Sequence, residues 1–219
     1  MPKGRYADAL ATMRALHARV AAGEEPETWL LTEHEPVVTL GRNAKAANVL
    51  VPAERLRASG VDLVTIERGG DATYHGPGQL VVYPIRRLER FREVRPLVDA
   101  LERALIGGLH AFGIAATARP EHRGVYVGRD AIAAIGLAVK AMTSLHGIAL
   151  NVSTALDYDR LILPCGMPGF GITSISRQLG RPVPLDEAWA AVKPALEVEF
   201  DLTFVEDFTS QKNGPAPSK

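Results

Sequence analysis

The sequence predicts an α+β fold. Short apolar stretches bounded by Gly, Pro, Asn or Asp outnumber the segments with helical periodicity, and they occur in groups separated by brief turns. Groups of this kind are typical of antiparallel sheets. The chain has 219 residues, of which 47% are hydrophobic, and this is enough to bury one sizeable core.

The first half of the chain predicts a long helix followed mainly by strands. Apolar residues recur near helical spacing over 6–22, and Gly23 suits the end of that helix. The predicted elements are a helix over 6–22, strands at 29–32 and 37–40, a short helix over 52–59, and strands at 61–66 and 80–83.

The second half predicts two more long helices with strands between them. One helix runs from Pro96 to about Phe112, because leucines recur every fourth position in it. Asp186 is the predicted N-cap of a last helix over 187–200. The strands lie at 124–127, 132–135, 137–139 and 146–151, the first two joined by a turn at 128–130. We expect a single domain over 1–207 and a disordered tail over 208–219.

Charge and cysteine content limit the class of protein. Lys+Arg and Asp+Glu both number 25, so the formal net charge is zero, which argues against nucleic-acid binding through bulk charge. One cysteine permits no internal disulfide and suits a reducing compartment. The N-terminal region has no apolar signal core, and the apolar runs are too short to span a membrane. These features predict a cytoplasmic protein that binds neither nucleic acid nor membrane.

The loop over 68–79, RGGDATYHGPGQ, is the most unusual stretch of the chain. It holds four glycines together with Arg68, Tyr74, His75 and Gln79, and strand-like residues lie on both sides of it. Glycine lets a backbone turn tightly or approach a ligand closely. The loop is therefore either a wall of a substrate pocket or a long hairpin connection.

Two kinds of side chain could do chemistry. Cys165 lies between Pro164 and Gly166 at a predicted strand end, and it is either a nucleophile or a structural thiol. His75 and His146 are each followed by glycine and adjoin strands, which favours a shared pocket. The sequence has no HxxxH, CxxC, Walker loop or GxGxxG after a strand. We therefore expect no metal and no nucleotide phosphate cradle of those types.

Two arginine features leave alternatives open. Arg42 ends a strand after Gly41 and could meet a carboxylate or phosphate, or be solvated. The run over 86–95 holds five arginines in ten residues. This run is either a solvated connection or a docking patch for an acidic partner.

Four blocks in this order resemble the octanoyltransferases of lipoate biosynthesis, also called lipoyl(octanoyl) transferases. The loop block is the most specific of them, and together they extend from about residue 30 to residue 180. The blocks are 31–42 (LTEHEPVVTLGR), 68–84 (RGGDATYHGPGQLVVYP), 132–136 (IAAIG) with 146–151 (HGIALN), and 164–166 (PCG) with 173–175 (TSI).

The resemblance implies a fold like the catalytic domains of biotin and lipoate ligases, with mixed, largely antiparallel sheets flanked by helices. It implies an acyltransferase domain over 1–207, which we expect to be a monomer without metal or cofactor. An octanoyl group would pass from acyl carrier protein to a cysteine thioester. It would then pass to a lysine of lipoyl domains of 2-oxoacid dehydrogenases or of the glycine-cleavage carrier protein.

The resemblance also assigns roles to residues of this chain. Cys165 would be the acyl-thioester nucleophile. The acyl pocket would be lined by Arg68, Gly69, Gly70, Asp71, Ala72, Thr73, Tyr74, His75, Ala134, Ile135, Gly136, Gly147, Ile148 and Ala149. Small residues in this set leave room for an acyl chain, and glycine N–H groups can stabilise an oxyanion.

One position departs from the family pattern. The family has a lysine that forms a dyad with the cysteine, and here that position is Ala131. Arg129 would share a strand face with it but hardly releases a proton, and Lys140 should belong to a different part of the sheet. The chain is an engineered variant, a natural homologue that uses Lys140 or a histidine instead, or a homologue with weak activity.

Two other functions compete with this one. An ATP-dependent lipoate or biotin-type ligase would need an adenylate-binding lysine near Ala131 and no thiol nucleophile. A non-catalytic module could hold a carrier protein or fatty acid, and the arginine run over 86–95 would suit it. An ATP-dependence assay and an acyl-transfer assay separate these alternatives.

Overall fold

The computed structural model describes residues 3–119, 122–163 and 170–205. Cys165 lies outside these ranges, and so does the predicted tail over 208–219. Within the described residues the helices are α1 (Tyr6–Ala22), α2 (Ala53–Ala58), α3 (Val94–His110), α4 (Ile175–Leu179) and α5 (Leu185–Phe200). The strands of the same ranges are β1 (Lys3–Gly4), β2 (Thr28–His34), β3 (Val37–Leu40), β4 (Asp62–Thr65), β5 (Ala72–His75), β6 (Gln79–Ile85), β7 (Thr117–Ala118), β8 (Gly124–Val127), β9 (Asp130–Lys140) and β10 (Thr143–Asn151).

The strands form two sheets. The larger sheet has seven strands in the order β1-β2-β6-β10-β9-β8-β7, and its pairs are antiparallel except for β1 with β2. The smaller sheet has the order β4-β3-β5, in which β3 runs parallel to β4 and antiparallel to β5. Mixed, largely antiparallel sheets flanked by helices confirm the predicted α+β class.

The core lies on both faces of the larger sheet. Successive side chains of a strand point to opposite faces, and the central strand β6 shows the consequence. Leu80 and Val82 pack in the cluster that contains α3 and α5, whereas Val81 and Tyr83 pack in the cluster that contains α1. The sheet is therefore covered by helices on both sides. None of the helices within the described ranges is long and apolar enough to cross a membrane.

The end of α1 agrees with its sequence signal, whereas the starts of α3 and α5 differ from the predicted positions. Gly23 ends α1 with φ +77°, a conformation that glycine adopts without a steric penalty. The start of α3 precedes Pro96 by two residues, at Val94. The N-cap prediction at Asp186 is wrong, because the cap position of α5 is Pro184. Asp186 lies instead in the first turn of α5, where its negative charge interacts favourably with the helix dipole.

Strand β9 is one continuous element, although two strands were predicted at 132–135 and 137–139. It spans Asp130–Lys140, and Gly136 pairs with Gly147 of β10 without interrupting the ladder. Lys140 is therefore at the far end of the strand that carries Ala131. The expectation that Lys140 belongs to a different part of the sheet is wrong, because both residues lie on β9. Nine residues of extended strand nevertheless separate them by roughly 30 Å.

Candidate active site

A pocket of about 460 Å³ lies between the glycine-rich loop and strands β9 and β10. Of the predicted pocket residues, Ala72 and Tyr74 do not line it, and both line a smaller neighbouring cavity together with Ala131. The structure brings these predicted residues to the pocket wall: Arg68, Gly69, Gly70, Asp71, Thr73, His75, Ala134, Ile135, Gly136, Gly147, Ile148 and Ala149. Their contact with a substrate remains a prediction.

The stretch over 68–79, which the sequence predicts as one loop, is a loop only in part, because Ala72–His75 form strand β5 and Gln79 begins β6. Its first residues, 68–70, lie close against β9 because glycines occupy the contact. The N–H of Gly69 donates to the carbonyl of Leu137 at 2.8 Å. A Cβ added to Gly136 would lie 3.0 Å from Cδ of Arg68, which is tighter than ordinary van der Waals contact. Gly70 adopts φ +86°, a conformation that favours glycine. The loop and the strand thus form one wall with little space between them.

Arg68 is buried at this wall and held in a fixed position. Its Nη2 donates to the carbonyl and to Oγ1 of Thr39 at 2.8 and 2.9 Å, and its Nη1 donates to the carbonyl of Gly69 at 2.9 Å. Only 6% of the residue is exposed. The guanidinium is therefore a fixed positive group in the pocket wall.

A group of aromatic polar side chains lies at the pocket wall. Four of them line the pocket, and the buried His34 packs against three of these four. We call the five residues the histidine–tyrosine cluster: Tyr6, His34, His75, Tyr83 and His146. His34 Nε2 and the Tyr83 hydroxyl are hydrogen-bonded at 2.7 Å. The ring of Tyr6 stacks on that of His75 at 6.1 Å, and its hydroxyl lies 3.5 Å from Nδ1 of His146. Five separate elements contribute to the cluster, namely α1, β2, β5, β6 and β10.

The cluster is uncharged near neutral pH. Burial lowers the pKa of both His34 and His146 to about 4, and burial also lowers the pKa of His75 well below its ordinary value. Burial raises the pKa of Tyr6 and Tyr83 above the ordinary tyrosine value. In their neutral forms these side chains avoid the free-energy cost of holding an ion in an apolar site. An alkyl chain could therefore end against the cluster without meeting a charge.

His146 carries backbone strain. Its φ is +61°, which is rare for a residue with a side chain. Only 2% of it is exposed, and its Nε2 has no hydrogen-bond partner among the described residues. The nearest carboxylate oxygen recorded for it is Oε2 of Glu67, at 3.8 Å. Tight packing must hold this conformation, since strain of order 1–3 kcal/mol persists only where neighbours impose it.

A chain of buried hydrogen bonds leads from the pocket to the neighbouring cavity. His75 Nδ1 lies 2.8 Å from Oε1 of Gln79. Gln79 Nε2 donates to Oδ1 of Asn151 at 3.0 Å, and Asn151 Nδ2 donates to the Tyr158 hydroxyl and the Thr173 carbonyl at 3.1 Å each. Because the Gln79 nitrogen is used as a donor, its oxygen accepts from Nδ1–H of His75. This fixes the tautomer of neutral His75.

Ala131 lies at the start of β9 beside the chain that follows residue 169. Its N–H donates to the carbonyl of Gly171, and its carbonyl accepts from the N–H of Thr173, both at 2.9 Å. The small cavity next to it has a volume of about 30 Å³ and is lined by Gln79 and Tyr158, among others. That volume holds about one water molecule.

The cations near Ala131 are placed differently from the prediction. Arg129 lies in the turn before β9 rather than on the strand, and its guanidinium lies 5.7 Å from the ring centre of Phe170. It therefore does not share a strand face with Ala131.

Arg42 is exposed, and its backbone N–H donates to the carbonyl of Arg68 at 3.0 Å.

Sequence reasoning missed three members of the cluster. Tyr6 lies at the start of α1, His34 at the end of β2 and Tyr83 in β6. His34 belongs to the first resemblance block, but no feature of the sequence around it assigned a role. Strand periodicity predicts that Tyr83 is buried and does not tell which pocket it faces. Only the tertiary structure joins these residues to His75 and His146.

Two solved structures with a similar architecture are lipoate-protein ligases. The chain matches the crystal structure of lipoate-protein ligase A bound with ATP with a TM-score of 0.72 and 18% identity, covering 90% of this chain and 83% of that chain. A bipartite lipoate protein ligase from Thermoplasma acidophilum matches with a TM-score of 0.71 and 18% identity, over 90% of this chain and 82% of that chain. At this identity the likeness shows the fold. The chain therefore has the fold of these two ligase structures.

Sequence comparison gives the family. Residues 5–197 match the lipoyl protein ligase A/B catalytic domain family. The octanoyltransferase of Syntrophobacter fumaroxidans is 46% identical over 88% of this chain and 85% of its own length, and that of Geobacter metallireducens is 44% identical over 87% and 86%. The chain belongs to this family, and within it to the octanoyltransferases. It is an acyltransferase of lipoate biosynthesis and protein lipoylation, and the resemblance found in the sequence is confirmed.

Proposed function

We propose that the chain transfers an octanoyl group from acyl carrier protein, through a thioester on Cys165, to a lysine amine of lipoyl domains. The observation that carries this proposal is the pocket between the glycine-rich loop and β9–β10, with small residues such as Gly136 and Ala149 in its wall. A slot of this kind suits an unbranched acyl chain. The octanoyltransferase relatives support the choice of acyl group.

The reaction consists of two acyl transfers. In the first, the Cys165 thiolate attacks the carbonyl carbon of the donor thioester, the old C–S bond breaks, and the carrier thiol leaves with a proton. In the second, a lysine amine attacks the carbonyl carbon of the Cys165 thioester, the amide C–N bond forms, the C–S bond to Cys165 breaks, and the proton lost by the amine returns to the cysteine sulfur. A covalent relay lets two carrier proteins use one site in turn.

The pocket residues would bind and orient rather than exchange protons. Neutral His75 is fixed by Gln79, and the histidine–tyrosine cluster would receive the methyl end of the acyl chain. Glycine N–H groups of the 68–79 loop would stabilise the oxyanion of each tetrahedral intermediate. Lipoyl-domain and glycine-cleavage carrier proteins would be the acceptors.

Ala131 makes this chain slower than a relative that has lysine at the same position. A lysine there would favour the cysteine thiolate and pass protons to the leaving thiol. Lys140 lies too far along β9 to replace it, and the guanidinium of Arg129 would hold its proton. The chain would therefore transfer the acyl group more slowly, because a smaller fraction of Cys165 would be present as the thiolate.

A transfer assay without ATP tests the proposal. The chain is incubated with octanoyl–acyl carrier protein and a lipoyl domain, and octanoylation of the domain lysine is measured by intact mass. We expect ATP-independent transfer that Cys165→Ser abolishes. Transfer that requires ATP and free octanoate would instead identify a ligase, and binding of the donor without any turnover would identify a non-catalytic module.

A further inference from the structure

The exposed segment over 90–95, here called the docking segment, has the composition of a protein-binding surface. We propose that it binds the acidic face of the carrier protein that delivers the acyl thioester. This inference rests on the proposed function, because it assigns a partner to the same pocket. It makes a separate prediction, since binding of the carrier protein is measurable without turnover.

The docking segment adjoins the pocket. Phe91–Glu93 form a 3₁₀ turn that leads directly into α3 at Val94. Val94 and Val98, in the first two turns of α3, both line the pocket. A protein that docks on the segment would therefore lie beside the pocket wall, where a tethered acyl chain could enter.

The docking segment combines an exposed aromatic ring with exposed arginines. Phe91 is 70% exposed, and Arg90, Arg92 and Arg95 are all exposed. The ion pairs recorded for the described part of the chain involve none of these three arginines. Aromatic residues and arginine are enriched at protein interfaces and supply many of their hot spots.

Two carboxylates lie near these arginines. Glu93 is half-buried, and its Oε2 accepts from the backbone N–H of Glu89 at 3.0 Å, so its charge is turned back toward the chain. Glu89 itself is exposed at the edge of the segment. The arginines therefore outnumber the carboxylates on the exposed side.

The first two arginines of the run, Arg86 and Arg87, make contacts within the fold. Arg86 pairs with Glu27 at 2.9 Å and lies 4.9 Å from the ring centre of Phe200. The Arg87 guanidinium lies beside Gly23 at the end of α1. These two residues stabilise the junction of β6 with α1 and α5. The run thus divides into a structural half at 86–87 and the docking segment.

A second group of basic side chains lies near His122, which lines the pocket. The Arg119 and Arg129 guanidiniums lie 5.0 and 5.7 Å from the ring centre of Phe170. His122, which also lines the pocket, lies 6.1 Å from the same ring. Arg123 beside it is paired with Asp99 at 2.6 Å. In a chain of zero net charge, exposed arginines of the docking segment and these further basic groups near the pocket favour an acidic partner.

Kinetics with two donors tests the docking segment. Phe91→Ala and the double variant Arg92→Glu/Arg95→Glu are compared with the unchanged chain, using octanoyl–acyl carrier protein and the small neutral thioester octanoyl-N-acetylcysteamine. Matched controls are Arg57→Glu, which reverses the charge of an exposed arginine on α2, and Val198→Ala, which changes a residue that is 82% exposed on α5. Binding of unloaded acyl carrier protein is titrated in parallel by fluorescence anisotropy.

We expect the double variant to lose roughly tenfold in kcat/KM with the carrier-bound donor and to lose the salt dependence of that value. Phe91→Ala should lose several-fold, while both variants keep their activity with the small thioester and the controls keep theirs with both donors. An equal loss with both donors, or an increase in KM for the lipoyl domain alone, would overturn the inference. If the unchanged chain transfers from neither donor, the proposed function fails, and the titration still decides whether the segment binds the carrier.

Discussion

The side-chain amide of Gln79 donates to Oδ1 of Asn151 across 3.0 Å, and this bond joins the glycine-rich loop to the end of β10. Asn151 in turn donates to Tyr158, which precedes the segment 164–169, and to the Thr173 carbonyl, which follows it. The pocket wall and both flanks of the Cys165 segment are therefore connected through one buried amide. A change at Asn151 should affect all three.

Asn151→Leu should destabilise the protein by several kcal/mol. The substitution keeps a similar volume but removes three hydrogen bonds, and each buried polar group left without a partner costs roughly 1–3 kcal/mol. Urea unfolding measures the change. Asn43→Leu is the control, because Asn43 is exposed and should change the free energy of unfolding by less than about 0.5 kcal/mol. Equal stability of the two variants would contradict the role given to Asn151.

Gly136→Val should close part of the acyl slot. A Cβ at this position would already lie 3.0 Å from Cδ of Arg68, so a branched side chain must push the loop outward or fill the pocket. We expect at least a tenfold lower kcat/KM for octanoyl donors and a smaller loss for butanoyl donors. Gly4→Ala is the matched control, since a Cβ there meets nothing within 4 Å. An equal loss for both chain lengths would argue against a slot at this position.

The stability of the protein should fall as the pH drops from about 6.5 to 4. The pKa of His34 and of His146 is about 4 in the folded state, whereas an unfolded histidine titrates near 6.5. Between these values the unfolded chain binds more protons, so its free energy falls relative to the folded state as the pH decreases. Each histidine should lower the free energy of unfolding by on the order of 3 kcal/mol once the pH is below both its folded and its unfolded pKa.

Histidine variants separate this effect from general acid unfolding. His146→Gln and His34→Gln should each flatten the dependence of the free energy of unfolding on pH between 4 and 6.5. His110→Gln changes an exposed histidine at the end of α3 and should leave that dependence as it is. A slope that is the same in all variants would show that the buried histidines do not cause the acid sensitivity.

Ala131→Lys should increase the rate of octanoyl transfer by about 10²–10⁴-fold, which is the usual contribution of a general acid–base group. Lys140→Ala should leave the rate unchanged, because Lys140 lies at the far end of β9. The rates of the two variants are compared with that of the unchanged chain in single-turnover assays. Equal rates for the chain and Ala131→Lys would show that another group supplies the proton transfer.

Much of the fold follows from local patterns, and the errors have local causes. The helix over 6–22 was predicted because its periodicity and Gly23 agree, and the structure places α1 there. The sequence predicts separate strands at 132–135 and 137–139, on either side of Gly136. In the structure it continues β9, and the glycine serves the close approach of Arg68 instead. A single sequence does not distinguish a glycine that ends a strand from one that makes room for a loop.

The candidate site was predictable only where its residues are close in sequence. The loop over 68–79 carries several pocket residues in one stretch, so its composition predicted a wall. The histidine–tyrosine cluster draws residues from distant elements, and the approach of Tyr6 to His146 depends on how α1 packs on the larger sheet. Pairing between distant segments has no local signal, which is why this part of the pocket was not predicted.

Intact-mass analysis of the chain after incubation with octanoyl–acyl carrier protein, without ATP or acceptor, tests the central claim most directly. The account predicts one octanoyl group per chain, located on Cys165 by peptide mapping, released by hydroxylamine and absent from Cys165→Ser. An octanoyl group on another residue, or an adduct of the same amount on Cys165→Ser, would contradict it.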